Sequence, residues 1–438
     1  MNRQFQVFKS ELLHFSRSPL KIVALFLYVF AAIYGLQNGY GLFVKHNKEI
    51  TAIKSTVDES ISEMMNQYAS IEKGEIEKPR RDPTTPYWAI WNTPSYAFKY
   101  PSPMMVFSLG QSEQYGYYKR VTNWSSVYDS DLAEEIANPE RLAIGTLDFS
   151  FVFIYLTPIL IIIFLFNIAG LEKDLGFDRL IYLQNISKLK WLILRFLFYF
   201  FIILLTLSII TFVYAFAMGT FKNHTNDFFD FVILIFSYTL MWFSICYLIN
   251  YFGSGSTDQA IKMISIWLVL CIIIPGLFHQ IISIKFPAGY MTDFIDASRE
   301  QSDDIFDLPT DSLQIKLLQA FPKLEKTLYA TDTLVNKSII NRSLSGLINN
   351  LNKNVVGKVE MNNGQKNKLI KKFNLINPVV FFQNQINALT GTDYFAYLSY
   401  RNSIQAIIDK KIDLIITETW NKVEVDKEIY SNYVNSFN

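Results

Sequence analysis

Few residues in this chain are equipped for covalent chemistry, and none stand at a productive spacing. The four histidines, His14, His46, His224 and His279, are scattered and form no metal-ligating pair. Cys246 and Cys271 both lie inside apolar runs, so they read as small buried hydrophobes rather than a disulfide framework or a CxxC metal pair. There is no GxxxxGK[ST] loop. The nearest string, Gly357-Lys358-Val359, lacks both the upstream glycine and the hydroxyl, so the chain cannot cradle ATP in a P-loop. HExxH and GxSxG are missing too. Asp303-Asp304-Ile305-Phe306-Asp307 spells DDxxD, a pattern able to hold magnesium and diphosphate. No second acidic motif accompanies it, and it reads as a solvated turn.

Two remaining groups have the chemistry of mechanical parts. Glu172, Lys173, Asp174 and Gly176 follow directly on a long apolar run and open a polar loop, 171–191. Leu180, Ile181, Leu183 and Ile186 give that loop apolar contacts, and Lys188 and Lys190 close it. It could form a short amphipathic helix that docks in a groove on a cytoplasmic partner, or lie on the membrane as a polar loop. Pro275-Gly276 interrupts the last apolar run and should kink it, as a gate or as an ordinary bend.

The elements that position these groups are membrane spans. Hydrophobic residues make up 50% of the 438, and aromatics 16%. The mean hydropathy is +0.18, too low for a chain that lies wholly in lipid, so a few spans join sizeable polar regions. Apolar runs near 21–43, 149–169, 192–218, 229–252 and 261–284 are each long enough to satisfy every backbone group within one helix and cross a bilayer. The run from Phe149 to Ala169 contains no ionisable residue. Ile404 to Ile416 is excluded as a sixth span by Asp409, Lys410, Lys411 and Asp413, since a charge at mid-bilayer costs ~2.5–3.5 kcal/mol. The first apolar run is too long for a signal-peptide core and lacks a cleavage site. No internal repeat or low-complexity segment is visible.

Before the first span, Phe5, Phe8, Leu12 and Phe15 form one helical face, interrupted by Lys9, Glu11, His14 and Arg17. This segment, 1–20, could lie flat in the headgroups or pack on protein. Ser18-Pro19 reads as an N-cap with proline at the first helical position. Basic residues gather at one end of the spans: Arg3, Lys9, Arg17 and Lys21, then Lys173, Arg179, Lys188 and Lys190, then Lys262, against Lys222 alone at the other end. The positive-inside rule therefore puts the N-terminus in the cytoplasm and the polar regions 45–147 and 285–438 outside. Arg195 lies close enough to the cytoplasmic end to snorkel. No Asp, Glu or Lys occupies the centre of a span, which argues against a proton- or ion-relay mechanism.

Within 45–147, Ile53, Val57, Ile61 and Met65 continue a helical pattern that extends the first span as a stalk. Residues 87–128, rich in Tyr, Trp, Pro and Gly, read as a compact irregular or strand-containing unit whose aromatics form a core. The tail reads as helices over 311–354 (broken near Pro322), 363–375, 378–389 and 392–436. The fold class is an all-α polytopic membrane protein with about five transmembrane helices, an α+β or irregular outer domain after the first, and a mainly helical C-terminal outer domain, 285–438.

The order and spacing of several short motifs resemble bacterial ABC-2 type permease subunits. The shared features are Asn138-Pro139, Gly145, Asp148-Phe149, Phe151 to Ile163, and Glu172-Lys173-Asp174 with Gly176. Tyr87-Trp88, Pro101-Ser102-Pro103, Phe107-Ser108-Leu109-Gly110, Tyr118 to Thr122, Asn377-Pro378, Phe381 to Asn384 and Thr390 to Asp393 are similar to the DUF3526 branch, which has a large outer domain after the first helix. The resemblance implies a non-catalytic, inner-membrane exporter subunit driven by a separate cytoplasmic ABC ATPase, with ATP and magnesium held on that partner and no cofactor here. It places Glu172, Lys173, Asp174 and Gly176 on the ATPase-contacting loop. It also implies a second permease subunit, identical or related, surrounding membrane lipids, and a periplasmic or outer-membrane partner. The net charge of +1 gives no argument for nucleic acid. A rival is an ATPase-driven complex that transports nothing and passes mechanical work to the periplasm. A membrane-embedded enzyme would need catalytic groups that the spans lack.

Overall fold

The computed structural model describes residues 3–137, 146–177, 187–286, 299–300, 302–330, 336–374 and 376–437. Asn138-Pro139, Gly145, Arg179, Leu180, Ile181, Leu183 and Ile186, and thus most of the loop before Lys188, lie outside the described residues.

Helix α1 (Arg3–Ser16) leads into α2 (Pro19–Glu72), one continuous helix of 54 residues. At ~1.5 Å per residue it runs ~80 Å, so the first span and the stalk are a single rod. Pro19 sits at its first turn, as Ser18-Pro19 predicts. Then come α3 (Pro86–Asn92), strand β1 (Tyr96–Phe98), a 3₁₀ turn at Pro103–Phe107, strand β2 (Tyr118–Arg120) and α4 (Asp129–Ala137). The strands pair antiparallel, Tyr96 opposite Arg120 and Phe98 opposite Tyr118. Four further membrane-length helices follow: α5 (Phe149–Asp174), α6 (Lys188–Ala217), α7 (Thr225–Phe252) and α8 (Ser256–Lys285). The tail folds as α9 (Thr310–Ala320), α10 (Lys337–Lys372), α11 (Pro378–Thr390), α12 (Tyr394–Trp420) and α13 (Lys427–Phe437).

With α2, five helices among the described residues are long and apolar enough to cross a membrane. They differ in what surrounds them. In α5, 67% of the apolar window is buried, against 22% in α2 and 11% in α8. Helix α5 is therefore the hub of the bundle, while α8 turns most of its apolar surface outward.

Two prolines shape α5 and α8 in the same way. A π-helical turn at Val152–Leu156 precedes Pro158, and another at Val269–Ile273 precedes Pro275. Proline has no N–H for the carbonyl four residues back, and its ring crowds that carbonyl; a widened turn makes room. In α5 the carbonyl left over is that of Ile154, and Tyr238 Oη donates to it at 2.5 Å. Helix α8 continues past Pro275 and Gly276 to Lys285, so Pro275 marks a widened turn inside an unbroken helix.

The two polar regions expected as separate units share their cores. Ala97, Val121, Val127 and Tyr128 pack with Leu313, Leu344, Ile404 and Trp420. Tyr68 on α2 and Ile90 pack with Ile415 and Tyr430. One body results because neither segment alone has enough apolar surface to close a core. Lys411 lies inside it, donating to the carbonyls of Ile90 and Thr93 at 3.3 and 3.1 Å. Burial, then the nearby Arg120 charge, lowers its pKa to about 7.

Two tail helices differ from the periodicity reading. Helix α10 runs unbroken through Gly357 and Gly364, where the expected 311–354 and 363–375 segments would have separated. The expected 392–436 helix instead breaks after Trp420. Lys422 takes φ +54°, and Val425 N–H reaches Thr84 O at 2.7 Å, a tertiary bond that no local pattern announces.

The body does not merely sit beside the spans. Val379, Phe382 and Ile386 of α11 belong to the same core as the spans, and the Phe382 ring lies 5.0 Å from that of Tyr238. The 3₁₀ turn enters with them: Phe107 stands 4.9 Å from Phe231 of α7. This close approach requires Gly35 and Gly39, where a Cβ would strike the backbone of Asp148–Phe149 and of Val106. The irregular backbone there is satisfied by Asp148, whose carboxylate accepts from Leu109 N–H at 3.0 Å and Phe151 N–H at 2.7 Å.

A candidate coupling site: the charged node at the end of α5

Asn167 and Gly170 are poor helix formers, and α5 loses its regular ladder at 166–169. Carbonyls freed by that break must find other donors. Lys21 Nζ donates to Phe164 O at 2.9 Å. Asn250 Nδ2 donates to Leu165 O at 3.2 Å, and its Oδ1 accepts from Ala169 N–H at 3.4 Å. Arg195 Nη1 donates to Ile168 O at 2.7 Å. Three other spans, α2, α6 and α7, thus complete the broken segment.

The same cations meet two carboxylates. Arg195 Nε pairs with Glu11 Oε1 at 2.5 Å, and its Nη1 pairs with Glu172. Trp191 Nε1 donates to Glu172 Oε2 at 3.1 Å. Tyr199 Oη receives from Lys21 Nζ at 2.9 Å and donates to Glu11 Oε2 at 3.1 Å. Glu11 and Glu172 against Lys21 and Arg195 make a node with no net charge. Glu11 is only 2% exposed, and desolvated charges persist when they are paired in this manner.

Helix α1 covers the node. Phe8 packs edge-on to Phe198, and Phe15 edge-on to Phe164, at 5.9 and 5.6 Å. Of the expected stripe, Phe8 and Phe15 lie on protein, while Phe5 and Leu12 are exposed. Arg195, expected to snorkel to water, instead turns inward, because α1 closes the path outward and supplies Glu11.

Glu172, Lys173, Asp174 and Gly176, singled out from the sequence, are engaged within the chain. Glu172 is held in the node. Lys173 Nζ donates to Gly253 O. Asp174 Oδ2 accepts from Ser256 N–H at 3.1 Å and caps the start of α8. Gly176, at φ +71°, is the left-handed stop of α5: Phe177 N–H returns to Glu172 O at 2.9 Å and Gly176 N–H to Lys173 O at 3.1 Å. Gly170 lies so close to Ser256 that a Cβ would strike its backbone. Three apolar side chains on this segment face outward, Leu171, Leu175 and Phe177, with Asp174 exposed among them.

Pro275 and Gly276 are far along α8 from this node and do not join it. The residues that sequence reasoning missed are Glu11, Lys21, Trp191, Tyr199 and Asn250. A signal for Glu11 existed: it falls at i+3 from Phe8 and i−4 from Phe15, on the apolar face itself. Trp191, Arg195 and Tyr199 likewise recur at four-residue spacing along α6.

Among the described residues no group of three or more His, Cys, Asp or Glu could hold a metal ion, and the DDxxD string forms none. No curated protein and no solved structure matches the chain. Residues 292–437, the tail that supplies α9 to α13, match the family described as "Domain of unknown function (DUF3526)".

Proposed function

We propose that this chain is the membrane-spanning subunit of an ABC-2 type ATP-driven exporter, moved by a separate cytoplasmic ATPase that grips the end of α5. It does no covalent chemistry; ATP and magnesium are bound by the partner. The observation that carries this reading is the node. Glu172, Lys173 and Asp174 tie one short segment to α6, to Gly253 at the end of α7 and to α8, and through Arg195 to Glu11 of α1, so a push on that segment displaces four helices together. The exposed side chains of Leu171, Leu175 and Phe177 offer the ATPase an apolar handle, while the charges transmit the force. A second permease subunit, identical or related, would complete the path, and the outward apolar surface of α8 gives it or lipid a place to pack.

A second reading is an ATPase-driven complex that moves no substrate and delivers work to the polar body. The unbroken α2 favours it, since one rod joins the node to that body.

Copurification from native membranes in mild detergent tests both readings. An ABC ATPase should accompany the wild-type chain. Leu175→Glu with Phe177→Glu should remove it without lowering the amount of the subunit. Absence of any ATPase from the wild-type preparation would end both readings. ATP-dependent movement of lipid or peptide in reconstituted vesicles separates the exporter from the mechanical complex.

A further inference from the structure

The polar body holds a cavity of about 440 Å³, within the ~300–1,000 Å³ typical of small-ligand sites. Tyr115, Tyr128 and Asp131 line it from the first polar region, and α10, α11 and the start of α12 form the rest.

Helix α10 changes character where it meets this cavity. Its first half buries Ile340, Leu344 and Leu347 against the body core. Its last turns and the turn that follows line the cavity with Asn363, Lys366, Asn367, Ile370, Lys371 and Asn374. Those positions fall at i, i+3, i+4, i+7, i+8 and i+11, one helical face. A face turned toward neighbouring elements is ordinarily apolar. Amides there point to something polar that belongs between the helices.

Several of these amides are unused. Asn387 is occupied, its Oδ1 accepting from Ser108 at 2.6 Å and Gln383 at 3.3 Å. Among the described residues, the side chains of Asn367, Asn374, Asn384 and Gln385 make no hydrogen bond to protein. Gln111 Oε1 is a buried acceptor with no partner.

The charge at the floor is already spent. Arg401, 4% exposed, lies 3.4 Å from Asp131 and 3.3 Å from Glu360. Tyr128 and Tyr394 both donate to Glu360, and the rings of Tyr115, Tyr128 and Tyr394 surround the guanidinium at 5.5–5.7 Å. Asp393 caps α12 through Ala396 N–H at 3.1 Å. Lys371 lies over the Phe395 ring. Arg401, the cation at the floor, is thus paired; Lys366, on the α10 wall, makes no ion pair among the described residues.

We propose that this cavity is a binding site for an uncharged, hydroxyl-rich ligand, a short stretch of neutral glycan. Amide side chains each offer a donor and an acceptor, which matches vicinal hydroxyls. Phe381, Tyr394 and Phe395 supply ring surface for the C–H face of a sugar. An extended peptide would call for a strand edge, whereas the unused groups here lie on helices. The inference does not depend on the transport reading.

The test uses the full-length chain in lipid nanodiscs free of sugar-headed detergent. Saturation-transfer NMR and calorimetry are run with N,N′-diacetylchitobiose, maltose and cellobiose, with digalacturonate and tetraglycine as comparisons. At least one neutral disaccharide should bind with Kd of ~1 mM or tighter, unchanged between roughly 50 and 300 mM salt. Asn367→Leu should weaken that binding at least ~tenfold without moving the melting temperature. The exposed Asn384→Leu is the second variant should Asn367→Leu fold poorly. The proposal is overturned if no neutral disaccharide binds by ~10 mM. It is equally overturned if digalacturonate or tetraglycine binds in preference, or if the folded variants bind as tightly as the parent.

Discussion

Arg195 is the residue on which the node turns. It faces two carboxylates and one orphan carbonyl, so its removal leaves Glu11 and Glu172 against Lys21 alone, one cation short. Breaking a buried pair by deleting one partner costs ~3–5 kcal/mol, most of it for the charge left behind. Arg195→Met should therefore lower the thermal unfolding temperature in nanodiscs sharply. Adding Glu172→Gln should recover most of the loss, because Glu11 then stands against Lys21 and the node is neutral again. An Arg195→Met protein as stable as the parent would show that the pairs contribute nothing. The sequence could not announce this arrangement. Glu11 and Arg195 are 184 positions apart, and the place of Glu11 on the apolar face of α1 singles it out without naming its partner. Lys21 was legible as an orientation signal, which concerns its charge, and not as the donor to Phe164 O, which concerns its neighbours.

At the scale of the element, the spans were legible because their hydropathy is a local property of some twenty residues. The stalk was legible for the same reason, since a four-residue apolar period needs no partner to be seen. What periodicity hid was the turn inside each span. Pro158 and Pro275 mark the places, but whether a proline kinks, breaks or merely widens a helix depends on who completes the backbone. In α5 that partner is Tyr238. Tyr238→Phe should destabilise the protein by about 1 kcal/mol, the scale of a hydrogen bond between membrane helices. Pro158→Ala restores an N–H within α5, so the double variant should lose less than Tyr238→Phe alone. Thermal unfolding of the four proteins gives the coupling directly, and strict additivity would remove Tyr238 as the completing donor.

At the scale of the whole molecule, the shared cores join residues 73–137 and the tail into one body that reaches into the ends of the spans. Segments of one core must lie on one side of a membrane. Reporter fusions at Arg120 and Tyr430 should therefore give the same signal, a periplasmic one if the proposed ATPase grips the opposite end of the spans. Opposite signals at the two sites would mean that the body as described does not form in the cell. The body also explains why α11 is a poor span yet lies against spans. Its thirteen residues are too few to cross, but Phe382 and Ile386 fill the space that the late start of α5 leaves open.

Composition and local period settled that this is an all-α membrane protein with about five spans and large polar regions, because the cost of placing backbone and charge in lipid is paid residue by residue along the chain. Tertiary structure alone decided which charges are structural and which surfaces remain outward. Sequence assigns a charge to Glu172, Arg195 and Glu11 alike, and only the packing of α5, α6 and α1 determines that they face one another rather than water.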